Sequence, residues 1–310
     1  GVIRMEVTKE HNTNYFHLAG IIPVAGQKLD FNQVTPDCMT PIAQNYTLIE
    51  AAAVECAYAG CDTIWIICND DASPLIREKL GDFLEDPVYA HRRHDWNPSE
   101  KKRYIPIYYV PVHPKDRDKR DCLSWSVIYG SLVCFKIAND LSTWVVPNKY
   151  YVSFPYGYFP AWQLREHRAL ISSDKNFYIS HNGETIKDNL YTSFTFGKED
   201  FLNFRRVIRT GSGIHVPGKG YVDYEDRQRL PVEDRWSARF FEVEKVFEPF
   251  DLDDANGLEI TDYHNIGSWD EYMQFFKSLE KPIKRPNYIL INDKARGIGN
   301  DYLGYDEEET

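Results

Sequence analysis

The sequence predicts a single α/β domain built on a mixed sheet, and three observations carry that expectation. Two short, near-continuous apolar runs, Leu18–Ala25 and Thr63–Cys68, read as strands buried on both faces, the pattern of a parallel sheet. Between them, Leu48 to Ala59 reads as a helix that stops at Gly60. A strand, a helix and a second strand in that order form a crossover unit, which joins parallel neighbours.

The elements follow in chain order. Leu18–Ala25 runs into a polar turn, Ala25-Gly26-Gln27-Lys28-Leu29-Asp30, and then a loop bracketed by Pro36 and Pro41. Thr47 with Glu50 has the S/T-x-x-E spacing of a capping box at the start of the first helix. Thr63–Cys68 ends at Asn69-Asp70-Asp71, and Ser73 is placed to cap a short helix that runs to Leu80 and stops at Gly81. Tyr104–Val110 is the next strand, preceded by the charged stretch His91–Arg103 and followed by the charged loop His113–Asp121. Leu123–Ala138 reads as a long apolar helix, and Tyr150–Phe154 as a fourth strand that ends in Pro155-Tyr-Gly-Tyr-Phe-Pro160.

Beyond residue 175 the runs shorten. Asn176–Ser180 and Asn189–Phe196 are strand-like, Glu199–Ile208 is helical, and Gly211–Gly220 is a Gly-rich loop of the kind that forms lids. A helical region covers Trp236–Val246, and Ser268 caps a helix from Trp269 to about Leu279. A strand at Tyr288–Ile291 and an acidic tail, Asp306–Glu309, complete the pattern. No internal repeat is present.

Composition narrows the function classes. The chain has 310 residues, enough for one large domain or two small ones. With 36 Lys and Arg against 47 Asp and Glu, its formal net charge of −11 gives no broad positive field, so nucleic acid is not an expected partner. No apolar run approaches the roughly 20 residues that cross a bilayer, and the first residues show no signal-peptide pattern, so the expected setting is cytoplasmic with no membrane partner. Six cysteines, at 38, 56, 61, 68, 122 and 134, show no C-x-x-C and no zinc spacing, and read as buried reduced thiols.

Several segments occur in a telling order: Ile21-Ile-Pro-Val-Ala25-Gly26-Gln27-Lys28-Leu29, Pro36-Asp-Cys-Met-Thr-Pro41-Ile42, Leu48-Ile-Glu50, Ala59-Gly60, Thr63-Ile-Trp-Ile-Ile67 and Leu80-Gly81-Asp82. Together they resemble the sugar-nucleotidyltransferase superfamily, in which a nucleoside triphosphate is joined to a sugar phosphate. Tyr263-His-Asn265-Ile-Gly267-Ser-Trp-Asp-Glu-Tyr272 is similar to the segment that opens the family's late helix. The resemblance implies a three-layer, Rossmann-like GT-A fold with a mainly parallel mixed sheet. It implies one domain over 1–310, with a nucleotide-binding half at 18–160, a sugar or acceptor side at 161–285 and an extension at 286–310. It places the nucleotide against Ala25, Gly26, Gln27 and Lys28, with Asp70 and Asp71 at the strand end, and puts Asn265 and Gly267 on the sugar side. Lys28 stands where the family has its catalytic Arg, as a point charge without the bidentate fork.

The departures bear on activity. The phosphate loop is shorter than the family's. Asp37 replaces a Lys, reversing the charge beside an anionic substrate. Phe154-Pro155-Tyr156-Gly157 occupies the place of one metal-binding Asp, and Asn265 that of the other. The family's chemistry implies Mg²⁺, yet the expected carboxylates are missing and the metal ligands stay unassigned. Asp116-Arg117-Asp118 is a D-x-D, the hook for a second reading as a GT-A glycosyltransferase with a nucleotide-sugar donor. The third reading is a non-catalytic protein that keeps the fold for nucleotide binding or for assembly with a protein partner, with the aromatic run Phe154–Trp162 as its surface.

Overall fold

Leu18–Pro23 (β1) is buried along its whole length and forms the centre of the sheet. The protein is described by a computed structural model over residues 15–26, 31–88, 103–117, 122–142, 145–211, 215–216, 220–221 and 242–286. Thr63–Cys68 (β2), Phe83–Glu85 (β3), Tyr104–Pro111 (β4), Lys149–Val152 (β5), Asn176–Ser180 (β6), Phe194–Phe196 (β7) and Ala255–Glu259 (β8) complete an eight-stranded sheet in the order β8-β6-β7-β5-β1-β2-β4-β3. β1 pairs in parallel with β2 and β5, β2 with β4, and β6 with β8. β7 is antiparallel to both of its neighbours, and β3 is antiparallel to β4.

Helices cover both faces, which gives three layers and a Rossmann-like α/β fold. Helix Leu48–Ala59 (α1) lies on one face and helix Leu123–Leu141 (α3) on the other. Alternation along β1 shows this directly. A Cβ on Gly20 would stand 2.9 Å from the Cys56 sulfur of α1, whereas the next residue, Ile21, meets Gly130 of α3. The short helix Ser73–Leu80 (α2) follows β2, Lys198–Gly211 (α4) follows β7, and Trp269–Ser278 (α5) lies near the end of the described chain. Phe194, Phe204, Phe247 and Phe250 fill the core beyond β7, with ring centroids 4.9 Å apart for Phe194 and Phe247. Among the described residues no helix is long and apolar enough to cross a membrane.

The structure corrects several local expectations. β3 and β8 were not foreseen, because both are short edge strands without a strong apolar run. The strand expected over Asn189–Phe196 shrinks to Phe194–Phe196, since Asn189 adopts a left-handed conformation with φ of 63°. Thr47 is the N-cap of α1, but its hydroxyl donates to Glu50 Oε1 at 3.3 Å and caps no backbone N–H. Glu50 is drawn instead to buried cations from distant segments, so the capping box does not form. Ser73 is not the cap of α2; Ala72 holds that position, and no side chain caps it. The helical region Trp236–Val246 is seen only as the turn Val243–Val246, its earlier part lying outside the described residues. Tyr288–Ile291, the acidic tail and most of Gly211–Gly220 also lie outside them; within that loop, His215–Val216 pairs with Gly220–Tyr221.

One charge network closes the N-terminal edge of the sheet. Asp86, fully buried, accepts from Arg103 at 2.6 Å and from Arg168 at 2.7 Å, and from the Val88 N–H. Arg103 also reaches Asp62 at 2.7 Å, whose other oxygen accepts from the Leu18 N–H at the start of β1. Arg168 donates to the carbonyls of Ala57 and Tyr58, the C-terminal carbonyls that α1 cannot satisfy internally. Removing the Asp86 carboxylate would leave two guanidinium groups facing each other in a half-buried site. Asp86→Ala should therefore lower the unfolding free energy by about 3–5 kcal/mol in urea titrations, the scale for breaking a buried ion pair from one side.

Candidate functional site

The turn after β1 forms one wall of a cleft. The N–H groups of Val24 and Ala25 both donate to Ile67 O at 2.9 Å, which pulls the chain across the end of β2. Gly26 follows with φ of +90°, and a Cβ there would fall 2.5 Å from the Cys122 nitrogen. Only glycine fits both the backbone and the space. Cys122 is the N-cap of α3, its sulfur accepting from the Trp125 N–H at 3.3 Å, and the Ser126 hydroxyl donates to Ala25 O at 2.6 Å. The N-terminus of α3, with its partial positive charge, is thus pinned against the turn.

Asn69, Asp71, Ala72 and Leu75 form the second wall, after β2 and into α2; Val34 to Asp37 form the third, and Tyr156 joins them from beyond β5. The space they enclose is about 470 Å³, within the range of small-molecule sites. The cleft lies past the C-terminal ends of β1, β2 and β5. The chain leaves β1 toward β2 on one side and returns at β5 on the other, so this is the topological switch point where open α/β sheets bind ligands.

The sequence-derived candidates divide between three places. Ala25, Gly26 and Asp71 line the cleft, and Asp71 Oδ1 accepts from the Ala72 N–H at 3.0 Å. Asp70 is not among the lining residues. Gln27 and Lys28 lie outside the described residues. Asn265 and Gly267 sit beside the cleft rather than in its wall. Asn265 pairs with Gly157, and its Oδ1 accepts from the Tyr263 hydroxyl at 3.0 Å and the Tyr191 N–H at 3.4 Å. The oxygen that a metal would use is thus already engaged. Gly267 belongs to the N-terminus of α5, where the Ser268 hydroxyl accepts from the Glu271 N–H at 3.2 Å, the cap expected from the sequence. The Ile266 N–H donates to Tyr156 O at 2.7 Å and ties this segment to the cleft. Asp116 falls in the turn Pro114–Arg117, not in the cleft wall, and Asp118 is outside the described residues.

Among the cleft residues not foreseen as site residues, three bear on its chemistry. Asp37, read from the sequence only as a mismatch, puts a second carboxylate in the wall. Asn69 contributes a buried Oδ1 that has no hydrogen-bond partner among the described residues. Tyr156 is 1% exposed, and burial with the nearby Cys38 and Asp37 pushes its hydroxyl well above the ordinary range, so it remains a neutral donor. Asn69 follows the end of β2, Tyr156 lies beyond β5, and Asp37 opens the short turn Asp37–Met39; what unites them is the placing of β5 beside β1 and of the 34–37 loop over the strand ends. No group of three or more His, Cys, Asp or Glu is arranged to hold a metal among the described residues.

Behind the cleft sits a buried acid. Glu55 of α1 accepts from the Tyr151 hydroxyl at 2.7 Å, the Ser153 hydroxyl at 2.8 Å and the Ser193 hydroxyl, and among the described residues no cation accompanies it. Burial raises its pKa to about 7, against the lowering effect of the three hydroxyls. Ser153 stands at the end of β5, where its N–H donates to Ile21 O at 3.0 Å, so Glu55 fixes the strand ends that carry the cleft.

No family model matches the chain, and no curated protein matches it by sequence. Solved structures with a similar course include a glucose-1-phosphate thymidylyltransferase from Bacillus anthracis, with 8% identity and a TM-score of 0.48, over 83% of this chain and 93% of that one. A nucleoside-diphosphate-sugar pyrophosphorylase from Vibrio cholerae matches at 15% identity and a TM-score of 0.44, over 84% of this chain and all of that one (100%). Rv0371c from Mycobacterium tuberculosis matches at 10% identity and a TM-score of 0.43, over 86% and 100% of the two chains. At these values the likeness bears on neither substrate nor activity.

Two outcomes follow from the geometry. Gly26→Ala should cost about 1–3 kcal/mol by chemical denaturation, because a backbone atom of α3 occupies the Cβ position and the positive φ adds strain. For Glu55, the folded pKa lies above the unfolded value of 4.5, so the folded state holds the proton more tightly. That contribution is complete below pH 4.5 and is lost as pH rises through about 7. Wild-type protein should lose about 2–3 kcal/mol of stability from this group between pH 5 and 8, and Glu55→Gln should flatten that slope. An equally steep slope in the variant would assign it elsewhere.

Proposed function

We propose that the switch-point cleft binds a nucleotide, as the triphosphate or as a nucleotide-sugar, and that the protein is a sugar nucleotidyltransferase in its reaction class. The observation that carries this reading is the coincidence of the motif series at Ala25–Gly26 and Pro36–Asp37, and of the strand-end candidate Asp71, with a cleft at the C-terminal ends of β1, β2 and β5. The Gly26 turn, backed by the N-terminus of α3, offers the phosphate a close backbone approach. Lys28, two residues further along the chain, is the candidate cation for the triphosphate. Tyr156 supplies a neutral donor.

The described walls carry two carboxylates and no Lys or Arg, which repels a bare triphosphate. Mg²⁺ sites commonly use one or two carboxylates and complete their shell with substrate phosphates and water, and Asp37, Asp71 and the unanswered Asn69 Oδ1 fit such a set. When bound, the ion would offset the charge that shifts among the phosphate oxygens during transfer. The chain's own residues then orient the α-phosphorus for attack by a sugar phosphate, with release of pyrophosphate. The glycosyltransferase reading needs the D-x-D at the nucleotide; Asp116 is not in the cleft wall, and Asp118 lies outside the described residues. A binding protein without turnover is favoured by the acidic Asp37 and the engaged Asn265.

Calorimetric titration with nucleoside triphosphates and nucleotide-sugars, with and without Mg²⁺, tests the proposal. Metal-dependent binding of one base is expected, and pyrophosphate release with a sugar phosphate then separates the transferase from the binding protein. Lys28→Ala and Asp71→Asn should each weaken nucleotide binding at least 10-fold with little change in melting temperature, because Asp71 is exposed. Unchanged affinity in both variants would remove the assignment.

A further inference from the structure

The C-terminal end of α1 brings two thiols together. Gly60 takes the left-handed conformation, and its N–H donates to Ala57 O at 3.1 Å. The next N–H, that of Cys61, reaches back to Cys56 O at 3.0 Å. This pair of bonds is the Schellman closure of a helix, in which the residue past the glycine folds back over the last turn. Apolar side chains commonly make that contact; here both are cysteines, free and fully buried. Their sulfurs approach one spot on β1. A Cβ on Gly20 would stand 2.9 Å from the Cys56 sulfur and 3.2 Å from the Cys61 sulfur. Glycine at position 20 thus leaves the room that the two sulfurs share, and the Cys61 sulfur is a hydrogen-bond partner of the Cys56 thiol.

The backbone that carries them is held from outside. Arg168 donates to the carbonyls of Ala57 and Tyr58, Arg103 donates to Cys61 O at 3.2 Å, and the Asp62 N–H donates to Leu18 O at 2.8 Å. Both arginines meet on Asp86, so the spacing of the two cysteines is part of the fold. Burial, then the Cys61 sulfur and the Glu55 carboxylate, push the Cys56 thiol well above its ordinary range, which keeps it protonated and slow toward alkylating reagents. Cys56 also lies against the Ser153 hydroxyl, which with Glu55 fixes the end of β5. The pair therefore sits in the frame behind the switch-point cleft, not in its described wall.

We propose that Cys56 and Cys61 are a reversible dithiol–disulfide pair, a redox latch that fastens the end of α1 to the chain entering β2. Because both sulfurs are buried, the oxidant must be small and uncharged, a hydroperoxide, and hydrogen peroxide is its simplest form. One thiol attacks a peroxide oxygen, becomes a sulfenic acid and releases one water. The second thiol attacks that sulfur: the S–S bond forms, the S–O bond breaks, and the hydroxide leaves with the second thiol's proton as another water. The two cysteines lose two electrons, and the peroxide gains them. The second step joins groups already in contact, so it outpaces further oxidation of the sulfenic acid.

The test exposes the folded full chain to hydrogen peroxide, removes the oxidant, unfolds the protein in iodoacetamide and maps its cysteines by mass spectrometry of the digest. Cys56 and Cys61 should both escape alkylation, in a species two hydrogen masses lighter than the reduced chain. Dithiothreitol before the iodoacetamide should restore two alkylated thiols. The melting temperature of the oxidised protein should rise by a few degrees and return on reduction, because a cross-link formed without strain restricts the unfolded chain. Cys61→Ser should remove both the lighter species and the shift, whereas Cys134→Ala should keep them. The wild-type result needs no substitution, so it decides the matter even if Cys61→Ser does not fold. Recovery of both cysteines as alkylated thiols, their conversion to sulfinic acids, a lowered melting temperature, or a disulfide that forms only in urea would each overturn the proposal. The pair would then be no more than the apolar filling of the helix end.

Discussion

Helix α1 carries two carboxylates, Glu50 and Glu55, into the interior, and nearly every residue along it is buried. A helix in that position must have its polar groups answered from elsewhere, because an unpaired buried charge or carbonyl costs several kcal/mol. Five separate segments supply the answers. Tyr151 and Ser153 at the end of β5, with Ser193 before β7, meet Glu55. Arg285 and Lys79 meet Glu50, and Arg168 meets the C-terminal carbonyls. Each partner lies well away in sequence, so satisfying one helix places β5, β7, α2, the 161–171 region and the 281–286 strap together.

The candidate site is a consequence of that arrangement. Holding β5 beside β1 through Glu55 and Ser153 puts Tyr156 opposite the Gly26 turn and creates the switch-point cleft. The described part of the cleft is acidic, which calls for a cation with any phosphate ligand. The end of the same helix brings Cys56 and Cys61 together against β1.

Much of the fold was legible in the chain because its central strands are buried on both faces. Leu18–Pro23 and Thr63–Cys68 are apolar throughout, and Gly60 and Gly81 end their helices with φ of +90° and +80°. The edge strands β3 and β8 were not legible. An edge strand is paired on one side only; β8 has no fully buried residue, and β3, with three residues, is too short to show a pattern. Capping failed for a different reason. Thr47 and Glu50 have the right spacing, but a buried Arg285 at the other end of the chain competes for Glu50, and local spacing carries no information about that.

The site was legible in the same uneven way. The sequence by itself determined the Gly26 turn and the acidic end of β2, since these depend on neighbours along the chain. Tertiary structure alone decided that Asp37, Asn69 and Tyr156 share the cleft with Asp71. It alone decided that Asn265 spends its amide oxygen on Tyr263 and Tyr191, and that Glu55 sits uncharged-partnered among hydroxyls. These are contacts between segments separated by tens to hundreds of residues, and their geometry is set by how the sheet orders its strands, which no local pattern of side chains encodes.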